Sequence, residues 1–162
     1  MAEETDNTYH VDRETPDAKT IRQVSKQFVQ LCDHGDCESI HYLAAALIGT
    51  HQGLELLSIN QLFQECHEDN RFHFVGEQLL LAKPRGEFEL QKPRMTSDWR
   101  AVLNRAGEIA DLRGSRVIAG THGLLAALEV RRAENVRFLS NMGIARVAAV
   151  KETERLIFGK AG

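Results

Sequence analysis

The chain has 162 residues, of which 43% are apolar and 27% charged, as is usual for a globular protein. Its 20 basic and 23 acidic residues give a formal net charge of −3, which excludes an overall electrostatic attraction to nucleic acid or to an anionic membrane. No apolar run approaches the ~20 residues of a membrane span. An odd count of three cysteines fits reduced thiols better than a disulfide framework, so we expect a cytoplasmic protein.

The N-terminal residues 1–14 are acidic and polar. They contain no basic start followed by an apolar stretch, which a secretory signal would need. We expect 1–14 to form a disordered tail and 15–162 to form a single domain.

This domain contains an internal repeat. Residues 15–47 align without gaps on residues 96–128, at a constant offset of 81, and eight of the 33 pairs are identical. The identical pairs are Thr15/Thr96, Asp17/Asp98, Leu31/Leu112, His41/His122, Leu43/Leu124, Ala45/Ala126, Ala46/Ala127 and Leu47/Leu128. We therefore divide the domain into repeat one (15–67), an inter-repeat segment (68–94) and repeat two (95–158).

The first helix of each repeat has a clear start. Thr15-Pro16-Asp17 and Thr96-Ser97-Asp98 each offer a hydroxyl that caps free N–H groups and an acid that faces the positive helix end. Apolar residues then recur at helical spacing. Gly35 and Gly114 follow, and we expect them to cap the C-terminal ends of these helices.

The second helix of each repeat opens near Ser39 or Thr121 and carries the run LAAAL or LLAAL. These runs are small and apolar on most sides, which predicts that both helices are buried at the centre. Leu43 and Leu124 should then be equivalent core residues.

Shorter helices complete each repeat. We predict a third helix at Gln52–Ser58 in repeat one and at Ala133–Asn141 in repeat two. Gly143 should break the chain before a last helix at about Ala145–Phe158.

The inter-repeat segment has no counterpart elsewhere in the chain. Runs at Arg71–Leu81 and Glu87–Gln91 show partial alternation and flank a Lys-Pro-Arg-Gly turn signal. This pattern fits a short β-hairpin, and the alternative is a helix at Gly76–Leu81 followed by a linker.

Repeat two resembles the Clp N-terminal repeat, the module at the front of Clp-type AAA+ unfoldases. The resemblance rests on Met95-Thr96, Ala106, Ala110, Gly114, His122, Leu124-Leu125, Leu128, Leu139 and Gly143-Ile144. Repeat one matches at Thr15, Ala18, His41, Leu43 and Leu57, but no Gly-Ile pair closes it. The resemblance implies an all-α, pseudo-twofold domain of about eight helices.

By the same resemblance the role is non-catalytic and needs no cofactor. The family receives substrate proteins or adaptors for a Clp-type ATPase, either as one domain of the unfoldase or as a stand-alone protein acting in trans. No P-loop sequence is present, since Gly159-Lys160 lacks the upstream glycine and the following hydroxyl, and we expect no tight ATP binding. The main alternative is a helical regulator that binds DNA or a transcription protein, against which the acidic net charge argues.

Some members of this family recognise phosphorylated arginine through a Thr at the repeat start and a Glu before the motif His. Thr15 and Thr96 match that Thr, whereas Ile40 and Thr121 stand at the Glu positions. We therefore expect no useful binding of phosphoarginine and recognition through apolar grooves between the repeats instead, although Glu38 leaves a shifted pocket open.

Two clusters have competing interpretations. His41 and His122 could be ligands or proton-transfer groups, but their repetition favours a structural hydrogen bond at a helix start. Cysteine and histidine side chains could bind zinc, yet their spacing matches no zinc motif; these residues are Cys32, His34, Cys37, Cys66 and His67. We expect no metal site.

Overall fold

Helices contain most of the residues that the computed structural model describes, which are 11–85 and 94–159. The helices in residues 11–85 include α1 (Pro16–Leu31), α2 (Ser39–Gly49), α3 (His51–Leu57), α4 (Gln61–Glu65) and α5 (Arg71–Ala82). The helices in residues 94–159 are α6 (Ser97–Arg113), α7 (Gly120–Leu128), α8 (Ala133–Asn141) and α9 (Arg146–Phe158). Two short strands, β1 (Asp36–Cys37) and β2 (Arg94–Met95), pair in parallel. The all-α prediction is confirmed.

Both repeats begin as the sequence predicts. The Thr15 hydroxyl accepts a hydrogen bond from the Ala18 N–H at 3.4 Å, and the Thr96 hydroxyl accepts one from the Trp99 N–H at 3.2 Å. The ends differ, because Gly114 takes a positive φ of 80° whereas Asp33, not Gly35, takes the left-handed conformation after α1. The prediction that Gly35 caps this helix is therefore wrong.

The inter-repeat segment forms a helix where a hairpin was one of two predictions. Arg71–Ala82 is α5, and its buried residues Val75, Leu79 and Ala82 recur at helical spacing. The Phe72 ring, which suggested strand alternation, stacks on Phe28 with ring centroids 4.4 Å apart. The hairpin prediction is thus wrong over Arg71–Leu81, and Glu87–Gln91 lies outside the described residues.

Ordered structure also begins earlier than predicted. Val11–Arg13 forms a turn of 3₁₀ helix, and Glu14 forms a parallel bridge with Ile118. The Glu14 carboxylate, whose side chain is 2% exposed, is paired with Arg22. The prediction of a disordered tail is therefore wrong for residues 11–14, while residues 1–10 lie outside the described part.

The centre of the molecule is the crossing of α2 and α7. Leu43 and Leu124 are both fully buried there, as predicted. Tyr42 and Gly123, which the 81-residue offset also pairs, contact each other: an ideal Cβ placed on Gly123 would lie 2.0 Å from the Tyr42 hydroxyl. Two equivalent positions that touch must lie on the axis that relates the repeats.

Reciprocal contacts show that the two repeats are related by an approximate twofold axis. β1 pairs with β2 through Cys37 and Met95, and the bridge between Glu14 and Ile118 is the same pairing with the repeats exchanged. The Thr96 N–H donates to the Cys37 carbonyl at 3.3 Å, and the Thr15 N–H donates to the Ile118 carbonyl at 3.1 Å.

The acids of the helix starts act across this axis. Asp98 accepts a hydrogen bond from the Ser39 N–H at the start of α2, at 2.7 Å. Asp17 accepts one from the Gly120 N–H at the start of α7, at 3.4 Å. Each repeat therefore stabilises the positive end of the other repeat's central helix.

The outer helices also pack against each other across this axis. α5 of the inter-repeat segment packs on α8 of repeat two, where Arg137 donates to the Ala82 carbonyl at 3.0 Å. Gln52 of α3 donates to the Thr153 hydroxyl of α9 at 3.5 Å.

Gly143, with φ 82°, ends α8 and turns the chain toward α9, as predicted. Within residues 11–85 and 94–159, no helix is both long and apolar enough to cross a bilayer.

Candidate functional site

The motif histidines stabilise helix starts. The His41 Nδ1 accepts a hydrogen bond from the Glu38 N–H at 2.9 Å, and the His122 Nδ1 accepts one from the Ala119 N–H, also at 2.9 Å. Because a ring nitrogen that accepts carries no proton, the proton of each neutral imidazole lies on Nε2. The structural interpretation of the two histidines is consistent with both bonds.

In repeat one this Nε2 proton begins a buried chain of hydrogen bonds. His41 Nε2 donates to His34 Nδ1 at 2.8 Å, and His34 Nε2 then donates to the Lys83 carbonyl at 2.8 Å. Burial lowers the pKa of His41 to about 3 and also lowers the pKa of His34. Both rings are therefore neutral at pH 7, and all four ring nitrogens of His34 and His41 have a hydrogen-bond partner.

Acidification below pH 6.5 is expected to destabilise the protein through these two rings. In the unfolded chain both histidines take up protons near pH 6.5, whereas folded His41 stays neutral down to about pH 3. A pKa that is lower in the folded state gives stability that is complete above the unfolded pKa and is lost as the pH falls. His41 contributes a slope that approaches about 1.4 kcal/mol per pH unit below the unfolded pKa, and His34, whose pKa burial also lowers, adds to the loss in the same direction.

Urea unfolding at pH 7.5, 6.5 and 5.5 measures this slope. His41→Gln should flatten it, because the unfolded state then has one fewer histidine to protonate. His51→Gln is the matched control, since the His51 side chain is 92% exposed. A slope that is the same in wild type and His41→Gln would contradict the prediction.

Glu38 and Lys83 lie beside these hydrogen-bonded histidines and form an ion pair with each other. The Lys83 ammonium lies 3.2 Å from the Glu38 carboxylate and 3.8 Å from that of Glu134. Burial raises the pKa of Glu134, and the nearby Glu38 carboxylate adds to the effect. Glu38 therefore belongs to a charge cluster that holds α2, α5 and α8 together, and it is not an open acceptor for a guanidinium.

The candidate zinc ligands are dispersed. The Cys32 thiol is buried and donates to the Gly76 carbonyl at 3.6 Å, and burial raises its pKa to about 11. Both ring nitrogens of His34 already form hydrogen bonds, one with His41 and the other with the Lys83 carbonyl. In residues 11–85 and 94–159, no three His, Cys, Asp or Glu side chains come together as a metal site would require.

The structure places the other predicted site residues as follows. Ile40 is fully buried, so it presents no surface to a ligand. Thr15 and Thr96 use their hydroxyls within the helix starts, where Thr96 also donates to the Cys37 carbonyl at 3.3 Å. Thr121 is partly exposed and lines a cavity at the start of α7.

This cavity is the first of two concave sites. Its volume is about 570 Å³, and it lies between the start of α7, the end of α6 and the last turn of α9. It is lined by His51, Gln52, Arg113, Gly114, Ser115, Ala119, Thr121, His122, Leu156 and Ile157. His122 is 7% exposed, and burial lowers its pKa, so it is a neutral donor here.

The second site is a groove of about 390 Å³ between α1 and α6, and we call it the inter-repeat groove. It is lined by Val11, Arg22, Lys26, Met95, Trp99, Arg100, Leu103 and Asn104. Trp99 is largely buried and packs edge-on against Tyr42, with centroids 5.5 Å apart. The groove thus combines apolar walls with cationic side chains at its edge.

The sequence prediction named an apolar groove between the repeats but none of its residues. Both sites are formed where segments more than 60 residues apart meet, and the 81-residue offset alone does not say which faces stay open. The one local signal was Trp99, a large aromatic residue on the first turn of a helix.

The fold defines the class: it is the fold of the N-terminal domains of Clp-type chaperones. The N-terminal domain of the caseinolytic protease associated chaperone ClpD from Arabidopsis thaliana superposes with a TM-score of 0.65, at 12% identity over 88% of this chain and 92% of that one. The Hsp104 N-terminal domain from Candida albicans gives a TM-score of 0.65, at 18% identity over 91% and 93%. A structure from work on a malarial protein secretion system gives 0.61, at 17% identity over 90% and 95%.

Comparison by sequence adds nothing to this result. No protein-family model matches the chain, and no curated protein matches it. The fold assignment therefore rests on the architecture and on the duplicated helix starts.

Proposed function

We propose that this chain is a non-catalytic protein-binding module that receives a substrate or adaptor polypeptide for a Clp-type ATPase in the cytoplasm. It acts either as one domain of such an ATPase or as a stand-alone accessory protein. The observation that carries the proposal is the inter-repeat groove on a Clp-N-like fold.

The lining of this groove suits an extended polypeptide. Met95 and Leu103 are half-buried and offer apolar surface beside the largely buried ring of Trp99, and apolar surface of this kind is what protein interfaces use at their centres. Lys26 and Arg100 add positive charge at the edge, which steers acidic segments toward the groove.

The test uses the only tryptophan of the chain as a probe. Labelled casein serves as an unfolded polypeptide, and its binding is followed by anisotropy and by the fluorescence of Trp99. Stimulation of a purified Clp-type ATPase ring is measured in parallel. We expect Leu103→Asp to weaken both activities about tenfold or more, since a buried unpaired charge costs several kcal/mol.

Leu112→Asp is the matched control. Leu112 lies on the same helix but is 69% exposed and does not line the groove. The proposal fails if wild-type protein neither binds casein nor acts on the ATPase, or if both variants lose activity equally.

Free phosphoarginine is expected to bind poorly. A guanidinium is always charged and binds most strongly to a carboxylate, but Ile40 is buried and apolar and Thr121 is neutral. Glu38 is already paired with Lys83 at 3.2 Å. Calorimetric titration measures the affinity, and micromolar binding that disappears in Thr15→Ala or Thr96→Ala would contradict the expectation.

A further inference from the structure

The two repeats differ at one point that matters for ligand chemistry. In repeat one, His34 receives the Nε2 proton of His41 and fills the space beside it. The equivalent residue in repeat two is Ser115, whose hydroxyl instead donates to the Val117 carbonyl at 2.7 Å. The cavity of about 570 Å³ lies in the corresponding place.

The Nε2–H of His122 therefore lacks the acceptor that His41 has. Its Nδ1 is fixed by the Ala119 N–H at 2.9 Å, which turns the Nε2–H toward the cavity that the ring lines. Within the described residues no acceptor meets this donor, although His122 is only 7% exposed. The Nε2 atom stays accessible from the cavity, and an acceptor atom placed there would make the bond that His34 makes to His41 in repeat one.

Further donors and a positive charge surround the same cavity. Arg113 uses its Nε to hold the Ile157 carbonyl at 2.7 Å, while its terminal nitrogens make no hydrogen bond to the described residues. Thr121 adds a hydroxyl on the first turn of α7, where the helix end is itself positive. None of the cavity-lining residues among those described is acidic.

The size and the walls of the cavity indicate more than a single ion. A volume of about 570 Å³ falls within the ~300–1,000 Å³ of small-molecule sites. Leu156 and Ile157 form an apolar wall beside the donors. This arrangement accommodates a charged group together with an apolar side chain.

We propose that this cavity binds a carboxylate of a partner polypeptide, which accepts from His122 Nε2–H and pairs with the Arg113 guanidinium. The proposal rests on the protein-binding function proposed above and names a second contact, separate from the inter-repeat groove. The carboxylate is either a chain terminus or an acidic side chain.

Three short alanine–leucine peptides separate these sources. The first has a free C-terminal carboxylate, the second is amidated, and the third is amidated but carries one internal glutamate. Backbone amide NMR of the full chain follows Thr121 and His122 during titration. We expect saturable shifts with the first or the third peptide and none with the neutral second one.

Arg113→Gln should weaken this binding about tenfold or more, because it removes the charged donor that pairs with the carboxylate. Arg116→Gln is the matched control, since Arg116 is an exposed arginine three residues away that does not line the cavity. The NMR spectrum also shows whether each variant is folded.

Equal binding of the neutral peptide, equal loss in both arginine variants, or saturable binding of inorganic phosphate without either acidic peptide would each overturn the proposal. So would the absence of saturable shifts. If casein binding through the inter-repeat groove persists in that case, the proposed function stands and only the carboxylate site is rejected.

Discussion

Replacing Gly123 with alanine is expected to destabilise the protein by about 3 kcal/mol or more, at or beyond the upper end for overpacked cores. The added Cβ would lie 2.0 Å from the Tyr42 hydroxyl and 2.9 Å from the ring carbon that carries it. Tyr42 is 1% exposed and has no room to move, because Trp99 packs against its ring. Urea unfolding measures the loss.

Tyr42→Phe tests the cause. Removing the hydroxyl oxygen takes away the closest contact but leaves ring carbons at 2.9 and 3.0 Å. The double variant should therefore recover part of the loss caused by Gly123→Ala, which appears as a coupling energy in a double-mutant cycle. Gly49→Ala is the matched control, since its new Cβ would meet only the Ile21 side chain, at 3.2 Å. Additive effects of Tyr42→Phe and Gly123→Ala would contradict this account.

Truncation of Leu43 or Leu124 to alanine should cost about 2–5 kcal/mol each, the usual range for a buried leucine. Both side chains are fully buried in the central helix pair, where the surroundings cannot easily collapse into the space left behind. The measurement is again equilibrium unfolding. Leu112→Ala is the control, because Leu112 is 69% exposed and surface changes usually stay within about 0.5 kcal/mol. Losses below roughly 1 kcal/mol at both buried positions would show that the central pair is not the core.

The features that the sequence predicted well are those that local spacing determines. Thr15 and Thr96 cap their helices because a hydroxyl three residues before a free N–H reaches it in any helix start. His41 and His122 bind back to the residue before the helix for the same reason. Duplication then reinforced each local prediction, since a feature that occurs twice at one offset is rarely accidental.

The errors arose where tertiary contacts decide between local alternatives. Phe72 fits a strand by alternation, but packing against Phe28 and the helical spacing of Val75 and Leu79 favour α5. Leu112, which pairs with Leu31 in the repeat alignment, is 69% exposed, because the alignment does not show which face of a helix its neighbours cover.

The sites were less predictable than the fold for a similar reason. Ser115 and His34 occupy equivalent positions, and nothing in either residue alone shows that one leaves a cavity while the other fills it. Arg113 lies at the C-terminal end of a helix, where a basic residue is usually explained by the helix dipole. Its position at the cavity depends on α9, which lies more than thirty residues later in the chain.

The exchange of Asp17 and Asp98 between helix starts has a consequence for the origin of this chain. A polypeptide with a single repeat could form these Asp bonds only by pairing with a second copy of itself, as an isologous homodimer. Such a homodimer would place tyrosine against tyrosine, or glycine against glycine, on its axis. A homodimer cannot form the contact between Tyr42 and Gly123, whereas in a fused chain the two equivalent positions can differ, one holding a large residue and the other the space that receives it.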